Sequence, residues 1–373
     1  MVEAIVGCED GQAATPACLL SRLRFSAGVR LLALFLAAAA IPVVAAELPE
    51  RIAFGSCAHQ DRPQPMWETM IAQKPDLFLL IGDNIYGDTV DMDLLRAKYG
   101  KLGAQPGYQK LLSTCPLLAT WDDHDFGRND VGSDFPMKKE SQQVFLNFFG
   151  VPLDSPRRTQ EGVHSSAIYE STGRRLQVIL LDTRYHRSKL RKIKAPEGLK
   201  GDVALPSEEP NATILGDLQW RWLEEQLRQP ADVRIIASSI QVIPEEHRFE
   251  KWANFPRERE RLFRLIGETK ANGVIFISGD RHMAEISRLD AAASAAGYPI
   301  YDVTSSGLTH AGGGSGGELN RHRISASNYQ KLNAGLIEIG WSDPDPEIRL
   351  SIIDLEGNRV LEQKLRLSEL RAN

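Results

Sequence analysis

From Arg51 onward, short apolar runs alternate with amphipathic stretches, the rhythm of an α/β protein. Leu77 to Ile81 is apolar at every position and reads as a strand buried on both faces, as in a parallel sheet. Gly82 ends it in a sharp turn, so Asp83, Asn84 and Tyr86 emerge together at the carboxyl end, where open α/β sheets bind ligands. Arg51 to Gly55, Pro116 to Thr120, Leu176 to Leu181, Val233 to Ser238 and Gly273 to Ser278 read as further strands. Helices are expected over Met66 to Gln73, Asp91 to Lys101, Pro106 to Leu112, Pro136 to Phe149, Leu218 to Leu227 (capped by Asp217) and Phe255 to Glu268. From Ile286 the pattern shifts to short alternating runs at Tyr301 to Thr304, Leu336 to Gly340, Ile348 to Ile353 and Val360 to Leu365, which predict an antiparallel region closing the domain. Residues 186–212 are polar, rich in Pro and Lys, and read as a long loop or flap. The Gly-rich run Ala311 to Gly317 lacks the strand–helix context of a phosphate-binding loop and reads as a hinge or lid.

The polar residues that follow the strands carry the chemistry. Cys57 and His59 follow the first strand, Asp83, Asn84 and Tyr86 the second, Asp122, Asp123, His124 and Asp125 the third, and Asp280, Arg281 and His282 a later one. Carboxylates, imidazoles, a phenol and a thiol converging on one sheet edge make a metal site, with too many ligands for one ion. Two or three ions fit better, because a pair about 3.5–4 Å apart clamps the attacking and leaving oxygens of an in-line displacement at phosphorus. Asp83, nearest the turn, is placed to bridge them. A thiolate and a phenolate favour a high-valent transition ion, whereas the oxygen-rich remainder suits Ca²⁺ or Mn²⁺. A free phenol ionises near pH 10, so Tyr86 needs a strongly Lewis-acidic partner, with Fe³⁺ the natural candidate and Zn²⁺ an alternative. Asp182 and Arg184 read as a structural pair supporting the site.

Composition narrows the classes. The 373 residues are 42% hydrophobic and 25% charged, enough for a large core, and the net charge of −5 lacks the basic stripe of a nucleic-acid binder. Arg22, Arg24 and Arg30 precede the apolar run Leu31 to Val44, and small residues follow at Ala45 and Ala46. This order is that of a secretory signal cleaved near Ala46, and the run is too short for a comfortable membrane span. The expected division is therefore a signal peptide over 1–46 and a single catalytic domain over 47–373, in a secreted or periplasmic protein. Of the four cysteines, Cys57 and Cys115 would remain. They fall at opposite ends of parallel strands, roughly 20 Å apart for a six-residue strand, which is beyond disulfide reach.

Gly82-Asp-x-x-Tyr86, Asp122-Asp-His-Asp125 and Gly279-Asp-Arg-His282 resemble the motifs of the calcineurin-like metallophosphoesterase superfamily. Ser56-Cys57, Trp121-Asp-Asp-His124, Leu181-Asp-Thr-Arg184, Ile214-Leu-Gly-Asp-Leu-Gln-Trp220 and Lys251-Trp-Ala-Asn-Phe-Pro256 are similar to its alkaline phosphatase D branch. The resemblance runs over about residues 51–355. It implies a four-layer α/β/β/α sandwich with metals at the carboxyl ends of the strands. It also implies that Cys57 stands where an aspartate often sits, that Asp83 bridges, and that Tyr86 is similar to the iron-binding tyrosine of purple acid phosphatases. Asp123 takes the place of an asparagine ligand, Asp280 and His282 replace a final His-x-His, and Gln241 is the nearest candidate for an absent histidine, which suggests Ca²⁺ there. His124 would protonate the leaving group or stabilise the transition state, with Arg281 and Arg128 as candidates for the non-bridging oxygens. Cys57-x-His59 resembles the superfamily's Asp-x-His, with a solvated loop histidine as the alternative, and His247, His310 and His322 read as loop residues. The implied activity is hydrolysis of phosphate monoesters or diesters, small molecules or phospholipid- and nucleotide-derived diesters. A non-catalytic metal-binding surface protein is the rival from another class.

Overall fold

The computed structural model describes residues 43–44, 47–198, 201–312 and 318–372. The expected signal segment lies outside the described residues except for the backbone of Val43–Val44, which pairs in parallel with Ile168 and Tyr169. One sheet has the strand order Val43–Val44, Ser165–Ser171, Arg174–Leu180, Val233–Ala237, Val274–Ser278, Ile300–Ser305 and Ala284–Leu289. The other runs Arg359–Arg366, Glu347–Asp354, Asn333–Ile339, Arg51–Gly55, Leu77–Ile81 and Leu117–Thr120.

The alternation of one strand shows why there are four layers. Leu77, Leu79 and Ile81 enter a core shared with Val178, Ile235 and Ile275 of the other sheet. Phe78 and Leu80 enter a second core with Met66, Trp67, Tyr99, Leu102 and Phe145. Side chains on a strand point alternately to its two faces, so an apolar residue at every position needs packing on both. The second core is built by the helices Met66–Ala72, Met92–Gly103, Pro106–Thr114 and Lys138–Phe148. Beyond the first sheet, the helices Gly216–Leu227 and Pro256–Glu268 supply Trp220, Leu223, Leu262 and Ile266 to the shared core. The result is the expected α/β/β/α sandwich, with Arg51–Gly55, Leu77–Ile81 and Leu117–Thr120 parallel, so that their carboxyl ends open on one edge.

Several local expectations are corrected. Tyr301 to Thr304 belongs to the first sheet and runs parallel to Val274–Ser278, being antiparallel only to Ala284–Leu289. The 186–212 stretch folds an antiparallel hairpin, Arg191–Lys194 with Asp202–Leu205, whose basic strand is exposed throughout and so carries no apolar alternation. Asp217 does not cap its helix, which begins at Gly216. The Gly216 amide donates instead to Thr213 Oγ1 at 2.9 Å, and Asp217 sits in the first turn, where a carboxylate complements the helix dipole. Cys57 and Cys115 are both free and buried. Among the described residues, no helix is long and apolar enough to cross a membrane.

Candidate metal centre

The strand-to-loop junctions need unusual backbone. Gly82 has φ +113°, and a Cβ there would lie 2.6 Å from Asp122 Cβ, so the tight turn requires glycine. Cys57, Asp83, Asp280 and His282 all hold positive φ, from +48° to +68°. A side chain in that region costs energy that surrounding contacts must offset, and such residues gather at functional sites. The Cys57 and Ala58 amides donate to Gly82 O and Asp83 O, and the Gly87 and Asp88 amides to His124 O. Three loops are thereby tied into one floor.

On that floor, three groups have donor atoms close enough to share a cation: Cys57, Asp83 and His282; Asp83, Asp123 and His124; and Asp83, Asp122, Asp123 and Asp280. Asp83 belongs to all three. Cys57 Sγ lies 3.3 Å from Asp83 Oδ2, and Tyr86 Oη lies 3.5 Å from the same oxygen. Burial, reinforced by Cys57 and the neighbouring carboxylates, lifts the Asp83 carboxyl well above its ordinary range. Asp280 is raised in the same way, by burial and then by Asp122 and Asp123. Asp122 rises to about 6 through burial even though Arg184 opposes it, and burial pushes the Cys57 thiol up to about 11. Crowded, buried acids of this kind lack positive charge. Asp122 Oδ2 and Asn84 Oδ1, both buried, have no partner. The donor set fits cations on both counts.

His124 stands apart in its bonding. Its Nδ1 lies 2.8 and 2.9 Å from the two oxygens of Asp88, and the ring lines a cavity of about 350 Å³. Burial disfavours the charged ring, yet Asp123 and Asp88 together carry its pKa up to about 9. Asp88, whose φ is +45°, gave no sequence signal of its own, because its partner is 36 positions away. The cavity is also lined by Lys192 and Ala204 of the hairpin and by Phe249, Asp280, Arg281 and His282.

Other expected residues are placed differently. Gln241 Nε2 donates to Glu285 Oε1 and Thr304 Oγ1, each at 2.8 Å, and its buried Oε1 has no partner. Arg281 lines the cavity, but its Nη2 donates to both oxygens of Glu318, at 2.9 and 2.7 Å, and the guanidinium lies over Phe249. Its charge is already compensated. Arg128 is exposed and does not line the cavity. Asp182 and Arg184 do not pair through their side chains. Asp182 accepts from the Arg184 and Tyr185 amides, while the Arg184 guanidinium meets Asp122 at 2.5 Å and Glu250 at 2.6 Å. His310, read as a loop residue, is in fact 3.0 Å from Tyr86 Oη, and His59 stacks on the Tyr86 ring.

The family model for PhoD-like phosphatases matches residues 52–336. Alkaline phosphatase D of Bacillus subtilis (strain 168) is 22% identical over 320 residues, covering 74% of this chain and 54% of the relative, so the chain spans about half the length of that relative. A solved structure of PhoD superposes with a TM-score of 0.66 at 18% identity over 87% of this chain and 70% of the other. GAP50, the anchor in the inner membrane complex of Plasmodium, superposes with a TM-score of 0.53 at 13% identity over 85% and 89%. Those two likenesses concern the fold alone, and a fold shared by a phosphatase and an anchor does not fix activity. With the family model spanning most of the sequence and every motif in order, the chain belongs to the PhoD-like phosphatase family.

Proposed function

We propose that this protein is an exported, metal-dependent hydrolase of small phosphate esters. The observation that carries the reading is the sharing of Asp83 by three ligand groups, directly beside a histidine held by a carboxylate at the cavity wall. Cys57, Asp83, Tyr86 and His282 form the side suited to Fe³⁺, and Asp83, Asp122, Asp123 and Asp280 the side suited to Ca²⁺ or Mn²⁺. Bound cations would neutralise phosphoryl charge and lower the pKa of water in the site. Asp88 holds His124 through Nδ1, which leaves Nε2 to carry a proton to the leaving oxygen. Lys192 and Arg281 line the cavity wall, each paired with an acid, Asp130 and Glu318, that holds it there. A non-catalytic metal-binding surface protein would have no use for a histidine so oriented, which favours catalysis over metal binding alone.

Export rests on the charge, core and small-residue order of residues 22–46. The test is turnover of an aryl phosphate monoester and of the matching diester by full-length protein before and after exhaustive chelation, followed by readdition of Fe³⁺ with Ca²⁺. Loss of both activities on chelation and recovery on readdition are expected. Unchanged turnover after complete removal of metal would show the reading to be wrong, and the ratio of the two rates assigns monoester or diester preference.

A further inference from the structure

The Tyr86 phenol faces two imidazoles, not one. Its Oη is 2.9 Å from His282 Nε2 and 3.0 Å from His310 Nε2, and the two nitrogens are themselves 3.0 Å apart. This near-equilateral triangle of donor atoms has a recognisable size. A cation bound at about 2.1 Å sets neighbouring octahedral ligands roughly 3.0 Å apart, and neighbouring tetrahedral ligands roughly 3.4 Å apart. The triangle therefore has the dimensions of one octahedral face.

The proton positions around His310 point the same way. Thr309 Oγ1 donates its single hydrogen to Cys57 O at 2.7 Å. It accepts from the His59 amide at 2.8 Å, which leaves it to act as acceptor toward His310 Nδ1 at 3.0 Å. Nδ1 then carries the proton, and Nε2 presents a bare lone pair to the triangle. Metal-bound histidines are commonly oriented in this way, by a hydrogen bond from the other ring nitrogen. The loop is pinned as well. Leu308 and Thr309 amides donate to Ser56 O and Cys57 O, and the Gly312 amide donates to His282 O. The Tyr86 ring is clamped between His59, stacked on it, and the tilted His124 ring, with ring centroids 4.8 and 4.2 Å away, so the phenol cannot swing off the triangle without breaking both contacts.

We propose that His310 Nε2 is a ligand of the same transition ion as Tyr86 and His282, completing a two-imidazole, one-phenolate face. On binding, Tyr86 gives up its phenolic proton to solvent and no ligand changes oxidation state. This inference rests on the metal-dependent reading above and adds to it a residue outside every motif that suggested it.

The experiment loads the full-length chain with Fe³⁺ and counts imidazoles from the multiple-scattering pattern of X-ray absorption at the iron edge. Two imidazoles are expected in the unaltered protein and one in His310→Ala, with iron affinity lowered by about 10- to 100-fold. One imidazole in the unaltered protein would overturn the proposal, and that measurement does not depend on any variant folding. An unchanged count and affinity in His310→Ala would overturn it too. Asp83→Asn separates the two levels of argument. If the unaltered protein holds no iron and Asp83→Asn changes nothing, the metal-dependent reading itself fails, whereas normal loading with a single imidazole removes only His310.

Discussion

The two sides of Asp83 are built from opposite materials. One side gathers Asp122 and Asp123, both buried, and the partly buried Asp280, with Arg184 paired to Asp122. The other gathers the Cys57 thiol, the Tyr86 phenol and the neutral His282 imidazole: the Cys57 thiol is raised to about 11, and burial with Arg281 lowers His282 to about 4. The acidic side is short of positive charge in the bare protein, while the other side is nearly neutral and only becomes anionic when a strong Lewis acid displaces its protons. One carboxylate serving both can thus hold two different cations without either site being a copy of the other.

The largest effect should come from the residue that faces both sides but is held by a third carboxylate. His124→Ala is expected to lower kcat by about 10²–10⁴-fold, with metal content unchanged. Proportional loss of metal and turnover would make His124 a ligand and move it into the comparison itself. Next comes the counter-charge of the acidic side. Arg184→Met leaves Asp122 and Glu250 buried without their shared partner, and losing one member of a buried pair costs about 3–5 kcal/mol. Denaturant unfolding of the metal-free protein should show that loss, and added Ca²⁺ should recover part of it. A variant as stable as the parent would mean that the acids are neutral in the fold.

A finer cut separates the two sides by their ions. Cys57→Ser should weaken Fe³⁺ binding by at least about tenfold, as for a disturbed ligand sphere, and leave Ca²⁺ content intact. Tyr86→Phe should bleach or shift the visible band of the iron-loaded protein. Elemental analysis and absorption spectra check both, and equal loss of the two ions would erase the distinction. The smallest effect lies away from the site and sets its background. Burial lowers the pKa of His164 to about 4 from an ordinary 6.5, so the unfolded chain binds the extra proton first as pH falls. Stability from this group is full above pH 6.5 and is lost as pH falls from 6.5 toward 4. His164→Gln should flatten that part of a melting-temperature profile. An unchanged profile would show that His164 does not set the acid sensitivity.

How much of this was written in the sequence depends on how far each partner lies along the chain. Leu77 to Ile81 declared a doubly buried strand because every position is apolar, and alternation then forces two cores. The same local logic placed Cys57, Asp83, Tyr86, Asp123, His124, Asp280 and His282 at strand ends, since parallel strands deliver their carboxyl ends to one edge. Loops follow no such rule. The route of the 306–312 segment brings His310 to Tyr86, and the turn after Tyr86 brings Asp88 to His124. Gln241 is turned toward Glu285 and Thr304, partners that no spacing announces. Arg184 found Asp122 and Glu250 instead of its sequence neighbour Asp182, because a buried guanidinium takes the carboxylates that share its burial. Local pattern therefore determined the layers, the edge that carries the candidate site and most of its polar groups. Which side chains close the coordination faces, and which arginine is already spent on a partner, was decided only when loops distant in sequence met under the demand that every buried charge be compensated.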